Sequence, residues 1–249
     1  NCQVVIPDLV ALVTDAADNC ALKMTNPITQ NVAAGNYNGV SDGMTIPVVV
    51  TVTDNASPAN SETCTINFTV NDDDKPTFTC PTPTLVLNTT GGENCQVAIP
   101  DLVALVTDAA DNCALKTTNP ITQSVAAGNY NGVSDGMTIP VVVTVTDNAS
   151  PANSETCTIN FTVNDDDAPT VSCPPNTTVL NTITGNTCAI SIPNYVAMLS
   201  PTDNCAASSS IVEAQDIPAG AYSTGIYHGA VVTVNYTATD GASPANTAT

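Results

Sequence analysis

Along the chain, apolar residues alternate with threonine or asparagine in short runs bounded by glycine, proline and aspartate. A period of two places every second side chain on one face of a β-strand. Phe78 and Cys80, then Leu85 and Leu87, predict a first strand; the turn 89–92 reverses the chain, and Cys95, Val97 and Ile99 predict a second strand that Pro100 stops. Residues 101–106 suit one helical turn before the polar loop 107–112, and Cys113 is expected to open a third strand. The stretch 128–132 (GNYNG) reads as a turn-rich connection whose Asn-Gly pair favours positive φ. Residues 138–146 (TIPVVVTVT) give the strongest strand signal. After the loop 147–155, Cys157, Ile159, Phe161 and Val163 face one way while Thr158, Asn160 and Thr162 face the other. About seven strands in about 90 residues, separated by turns, predict an all-β immunoglobulin-like sandwich.

This pattern recurs with a period of 93 residues: Cys2, Cys95 and Cys188 are successively that far apart. Residues 94–167 restate 1–74 with three changes, Val5 becoming Ala98, Met24 becoming Thr117 and Asn31 becoming Ser124. Such self-similarity marks a linear tandem array in which each copy is one structural unit. We divide it into 1–74, a copy lacking its first strand; 75–167, a complete copy; and 168–249, a diverged copy lacking its last strand. An unpaired edge over an open core is unstable. The ends are therefore expected either to continue into further copies or to complete one another by strand addition, with Cys64 bridging to Cys173. Head-to-tail contacts of that kind do not close and generate filaments.

Composition then limits the function classes. With 23 acidic residues against three lysines and no arginine, the chain carries a formal charge of −20 and repels phosphate backbones and anionic membranes, which excludes nucleic acid as a partner. No apolar run approaches the roughly 20 residues of a membrane span, so no membrane insertion is expected of this segment. Ten cysteines at fixed places, without a Cys-x-x-Cys pair and with a single histidine, point to disulfides in an oxidising extracellular or cell-surface setting. His228 lies beside a turn, has no matching nucleophile and reads as a surface residue, so no enzyme is expected. Met44 and Met137, in equivalent Asp-Gly-Met turns, read as covers for a core edge.

One ordered set of motifs spans the whole chain. Cys80-Pro81, Asp111-Asn112-Cys113, VTVTD ending at Asp147, ETCTINFTV over 155–163, and then three aspartates before a proline resemble the hyalin-repeat (HYR) family. The third copy repeats the set as Cys173-Pro174, Asp203-Asn204-Cys205 and VTVNYTATD ending at Asp240. The resemblance implies immunoglobulin-like modules of extracellular adhesion proteins and long bacterial surface proteins, with no catalytic residues. The loop 147–151 departs from the family's shorter glycine-containing turn.

The four cysteines of the complete copy allow three pairings. In the sandwich, Cys80 opens the first strand and Cys157 the last, and these strands meet at the seam, which favours Cys80 with Cys157. Cys95 is then left with Cys113, and by repetition Cys2 with Cys20 and Cys188 with Cys205. A full-length second strand would hold Cys95 and Cys113 too far apart, so the alternative pairings stay open.

The aspartates are the candidate binding site. Asp72, Asp73 and Asp74, and Asp165, Asp166 and Asp167, lie between copies. The loops carrying Asp108 and Asp111, and Asp147, lie at the end of a module where the chain enters, as do Asp203 and Asp240 in the third copy. Convergent carboxylates need a hard cation, and Ca2+ accepts six to eight oxygens without strict geometry. The arrangement is similar to the linker calcium sites of cadherins, although the spacing differs. The alternative is an acidic, solvated hinge. Asn55, Asn67, Asn88, Asn148, Asn160, Asn176 and Asn235 begin Asn-x-Ser/Thr triplets and are candidate glycosylation sites, in a composition that also generates such triplets by chance. Tyr37 and Tyr130, the repeated aromatics, are expected to be exposed in matching turns. Two functions fit: a structural segment of an extracellular filament or stalk built of copies of itself, or a repetitive adhesin gripping glycan or protein partners by multivalency.

Overall fold

The computed structural model describes residues 2–90, 94–174, 178–185 and 188–249. Strands dominate, and the described helices are single 3-10 turns at Val10–Leu12 and Ser208–Ser210. The chain falls into two compact units. One comprises Asn1–Pro81, Leu102–Ser124 and Val142–Cys157, the other Thr82–Asp101, Val125–Val141 and Thr158–Thr249, so the second sequence copy contributes to both.

In the first unit, strands Ile28–Gln30, Thr45–Thr53 and Ser61–Thr69 form an antiparallel sheet with Thr45–Thr53 in the centre. Gln3–Ile6 pairs antiparallel with Gly35–Asn38. Alternation explains the core: Ile46, Val48 and Val50 project inward from TIPVVV and pack with Cys2, Ile6, Leu9, Val40 and Val70. The second copy adds the antiparallel register Thr144↔Thr122.

In the second unit, Gln96–Ile99 pairs with Gly128–Asn131, and its counterpart Ile190–Ile192 with Gly220–Tyr222. Val86–Asn88 runs parallel to the end of Ser154–Asn164, Leu87 facing Val163. Val212–Gln215, Tyr236–Thr239 and Thr247–Ala248 complete a three-stranded sheet. Ile159, Phe161 and Val163 are buried and Thr158, Asn160 and Thr162 exposed, which is the expected alternation. The strand Thr138–Thr146 occupies the residues expected of it.

Four local expectations are corrected. The stretch 128–132 is a strand, Gly128–Asn131, bracketed by Gly128 and Gly132 at φ 111° and 72°. Tyr130 faces Val97 there, so both tyrosines are half-buried on strands, Tyr37 against the first core, and neither is an exposed turn aromatic. Cys113 opens no strand, because one oxygen of Asp111 accepts the backbone N–H groups of Cys113 (2.8 Å) and Ala114 (2.9 Å) and closes a turn; the strand starts at Ile121. Phe78 and Cys80 lie outside any ladder, since Pro76, Pro81 and Pro83 lack donors, and the first strand is limited to Val86–Asn88. The helical turn at 101–106 carries i→i+3 bonds from Leu105 to Leu102 (3.2 Å) and Val106 to Val103 (3.3 Å). Residues 91 and 92 of the expected turn, and the triplet asparagine Asn176, fall outside the described residues.

The cystines carry the largest correction. Cys80 is bonded to Cys157, with Cα atoms 6.0 Å apart. Cys2, however, is bonded to Cys113 and Cys95 to Cys205, at Cα separations of 4.1 and 4.5 Å, in place of the within-copy pairs Cys2–Cys20, Cys95–Cys113 and Cys188–Cys205. Cys95 heads the strand Gln96–Ile99, its carbonyl accepting from Gly132 N–H at 3.0 Å, and belongs to the second unit. Cys113 sits in the Asp111 turn of the first unit and packs on the core beside Cys2. Each of these bonds therefore joins one copy to the next. Cys20, Cys64, Cys173 and Cys188 are free and exposed.

Candidate metal centre

Asp72 follows the last strand of the first copy. Its backbone N–H donates to Asp42 Oδ1 (2.9 Å), and Asp42 Oδ2 accepts the N–H of Ser150 from the second copy (2.9 Å). Asp111 is fixed by its own turn. Asp147, fully buried at the end of Thr138–Thr146, accepts through Oδ1 from Ala149 (3.1 Å) and Asn153 (2.8 Å) and through Oδ2 from Asn153 Nδ2 (2.7 Å). These bonds aim the three carboxylates at one point, with ligand oxygens within 4.8 Å of one another. Asp165, Asp203 and Asp240 form the same group in the second unit. There Asp135 takes the place of Asp42 and Asn246 that of Asn153.

The electrostatics are unfavourable without a counter-charge. Burial pushes the Asp72 carboxyl above the ordinary aspartate range, with the charges of Asp111 and Asp147 adding to it, partly opposed by the Asp74 N–H. Asp165 is raised for the same reason, burial first, then Asp203 and Asp240, against bonds from Asp167 N–H and Thr89. Asp72 Oδ1 and Asp111 Oδ2 are buried without a hydrogen-bond partner, as are Asp203 Oδ2 and Asn204 Oδ1. Buried acceptors normally have donors. Oxygens that converge, carry charge and lack donors fit a hard cation.

The other expected ligands do not join these groups. Asp73 and Asp166 are exposed, the latter accepting from Asn88 Nδ2 at 2.7 Å. Asp108 bonds Thr79 through both its oxygens, which lowers its carboxyl pKa. Asp74 and Asp167 flank the trios, accepting from Asn112 (2.6 Å) and Asn204 (2.7 Å). Sequence reasoning passed over Asp42 and Asp135, Asn153 and Asn246, and Thr89; the first two pairs recur at the 93-residue spacing, which was a usable signal. In the third copy, His228 stands where the second has Asp135, each followed by a glycine of positive φ, Gly229 and Gly136. His228 is exposed.

No family model and no curated protein matches the chain. The HYR resemblance therefore rests on its motifs. Similar solved structures include a protocadherin gammaB7 EC3-6 cis-dimer (20% identity, TM-score 0.29) and the protocadherin gammaB4 extracellular domain (13%, 0.30), covering 82% and 91% of this chain. The chain spans 56% and 43% of their lengths. Mouse cadherin-23 EC22-24 matches at 14% identity and TM-score 0.29, over 86% of this chain and 75% of that one. At such scores these likenesses fix neither module topology nor function.

Proposed function

We propose that this chain is a structural segment of an extracellular or cell-surface filament or stalk, built of HYR-like modules divided at residues 75 and 168, whose junctions are set by Ca2+ and a cystine. The observation that carries this reading is the occurrence, in each unit, of an aspartate trio with two buried members and one half-buried, with unpartnered oxygens, in a chain whose consecutive copies are joined by disulfides. Asp72, Asp111 and Asp147 would hold one ion, and Asp165, Asp203 and Asp240 the other. Bound there, the cation neutralises the carboxylates and supplies the missing partners of their oxygens. Asp72 and Asp165 come from the end of one copy and the other ligands from the next, so the ion ties both sides together. Copies of the chain itself are the partner this reading supports, and sugar on the exposed strand positions Asn67 and Asn160 is compatible with it. The adhesin alternative has less support, because Tyr37 and Tyr130 are half-buried.

Isothermal titration of chelator-treated protein with Ca2+ tests the reading. Two sites are expected, Asp147→Asn removing one and Asp240→Asn the other, with a matching rise in Tm and protection of residues 72–75 from proteolysis. Unchanged Tm and cleavage at millimolar Ca2+ would refute the metal.

A further inference from the structure

In each unit one carboxylate belongs both to the trio and to the turn that carries a cystine. Asp111 Oδ1 accepts the N–H groups of Cys113 (2.8 Å) and Ala114 (2.9 Å), and Cys113 is bonded to Cys2. The other oxygen of that carboxylate, Asp111 Oδ2, is buried without a donor, and the residue groups with Asp72 and Asp147. In the second unit Asp203 Oδ1 accepts from Cys205 (2.8 Å) and Ala206 (2.6 Å), and Cys205 is bonded to Cys95. Asp203, whose Oδ2 is likewise buried and unpartnered, groups with Asp165 and Asp240.

Cystine and trio close the same junction. Cys2 and Asp72 come from the first copy, and Cys113, Asp111 and Asp147 from the second; Cys95 and Asp165 come from the second, and Cys205, Asp203 and Asp240 from the third. Cys2 and Cys95 are anchored, at 7% and 8% exposure, and Cys113 packs against the core that holds Cys2. Beyond Cys113 the chain runs on to the third ligand: Ala114 accepts the N–H of Asn148 (3.0 Å), and Leu115 bridges to Asp147. Asp18 makes the same turn around Cys20, which is free, with bonds of 2.7 and 3.0 Å. The aspartate therefore shapes the turn, and the cystine sets where the turn lies. Once one of two parallel cross-links is closed, the other closes at a high effective concentration.

We propose that ion and cystine are linked at each junction: the bonds Cys2–Cys113 and Cys95–Cys205 position Asp111 and Asp203 for Ca2+, and Ca2+ makes those two bonds harder to reduce. The inference rests on the reading of the trios as Ca2+ sites. Linkage is reciprocal, so the factor by which the cystine tightens Ca2+ is the factor by which Ca2+ shifts the thiol–disulfide equilibrium. The reductant is a small dithiol. One of its thiolates attacks a cystine sulfur and expels the partner cysteine; its second thiolate attacks the small-molecule sulfur of the mixed disulfide and expels the remaining cysteine. The two cysteines take up the protons that the dithiol gives, and the dithiol becomes a cyclic disulfide. With the bond open, the turn keeps its shape but is no longer held beside Asp72, and the trio loses affinity.

The test uses the full chain with Cys20→Ser, Cys64→Ser, Cys173→Ser and Cys188→Ser, which leaves the cysteines of the three cystines. It is equilibrated in dithiol buffers with Ca2+ or chelator and alkylated, and each cystine is quantified by peptide mapping. We expect Ca2+ to move the midpoints of Cys2–Cys113 and Cys95–Cys205 about tenfold in the ratio of dithiol to disulfide, or about 30 mV. Cys80–Cys157, in the first unit but in no Asp-Asn-Cys turn, should stay in place. Asp147→Asn, which removes the first ion and leaves the turn, should abolish the shift at Cys2–Cys113 alone. Cys2→Ser with Cys113→Ser should weaken the first Ca2+ site about tenfold by calorimetry and leave the second unchanged. Two bound ions with neither midpoint moved overturn the linkage and leave the metal reading standing. An equal shift of all three cystines does the same, since it marks a general stabilisation. No Ca2+ binding at all overturns the metal reading and the linkage with it.

Discussion

Asn153 donates its side-chain amide to the main-chain carbonyl of Asp72 at 3.0 Å. The same amide bonds Asp147 Oδ2 at 2.7 Å, so one side chain from the second copy holds the linker of the first against the carboxylate beside it. Asn246 repeats the arrangement with Asp165 and Asp240 at 2.9 Å each.

Removing that amide leaves a carbonyl and a charged oxygen without their donor. Asn153→Ala is expected to cost about 1–3 kcal/mol, read as a lower urea midpoint. Ca2+ affinity at the first trio should fall with it while the second trio is unaffected, because Asn246 is untouched.

The pH dependence of the chelated protein follows from the two raised aspartates. Asp72 and Asp165 hold a proton more tightly folded than unfolded, so their contribution to stability is present below the ordinary aspartate pKa and is lost as pH rises through their folded values. Asp42, Asp54, Asp108 and Asp216, lowered by hydrogen bonds, act in the opposite sense: their contribution is present above the ordinary value and lost as pH falls through the lowered one. Asp72→Asn with Asp165→Asn should therefore stabilise the chelated protein at neutral pH, flatten the loss of stability on the alkaline side of the aspartate range and abolish the gain from Ca2+. Urea midpoints across pH, with and without chelator, check the sign.

Thr89 braces the second trio. Its buried hydroxyl lies 3.1 Å from both Asp165 Oδ1 and Asp167 Oδ2. Thr89→Val keeps the shape and deletes the hydroxyl. We expect a loss of about 1–3 kcal/mol in the chelated protein, and a larger Ca2+-induced rise in Tm than in the parent, measured by calorimetry.

Core burial differs between equivalent positions. Phe161 is fully buried while Phe68, its counterpart in the first copy, is half-buried. Phe161→Ala should cost about 3–5 kcal/mol and Phe68→Ala distinctly less, both by chemical denaturation.

Much of this was legible beforehand because it is local. The alternation in 138–146 and at Ile159, Phe161 and Val163 decides which face is buried whatever the surroundings, and the recurring aspartates of 72, 111 and 147 could be grouped from sandwich geometry. The strand Gly128–Asn131 was hidden because glycine and asparagine signal turns, and only the facing strand Gln96–Ile99 supplies its partner. The cystine partners were hidden for a different reason. Repetition makes Cys20 and Cys113 the same residue in the same surroundings, so sequence alone cannot distinguish a bond within a copy from one to the next. The strand expected at Cys113 hid the turn that presents that thiol to Cys2.

The overlap of the two junction bonds has a mechanical consequence. From Cys2 to Cys205 the backbone runs 205 − 2 = 203 residues, yet the covalent route through the cystines crosses from Cys2 to Cys113, returns to Cys95 over 113 − 95 = 18 residues, and crosses again to Cys205. A pulling force follows the shorter route. Fully stretched, those 18 residues span roughly 60 Å, so the chain between Cys2 and Cys205 releases almost none of its contour length under load until a thiol cuts the shunt.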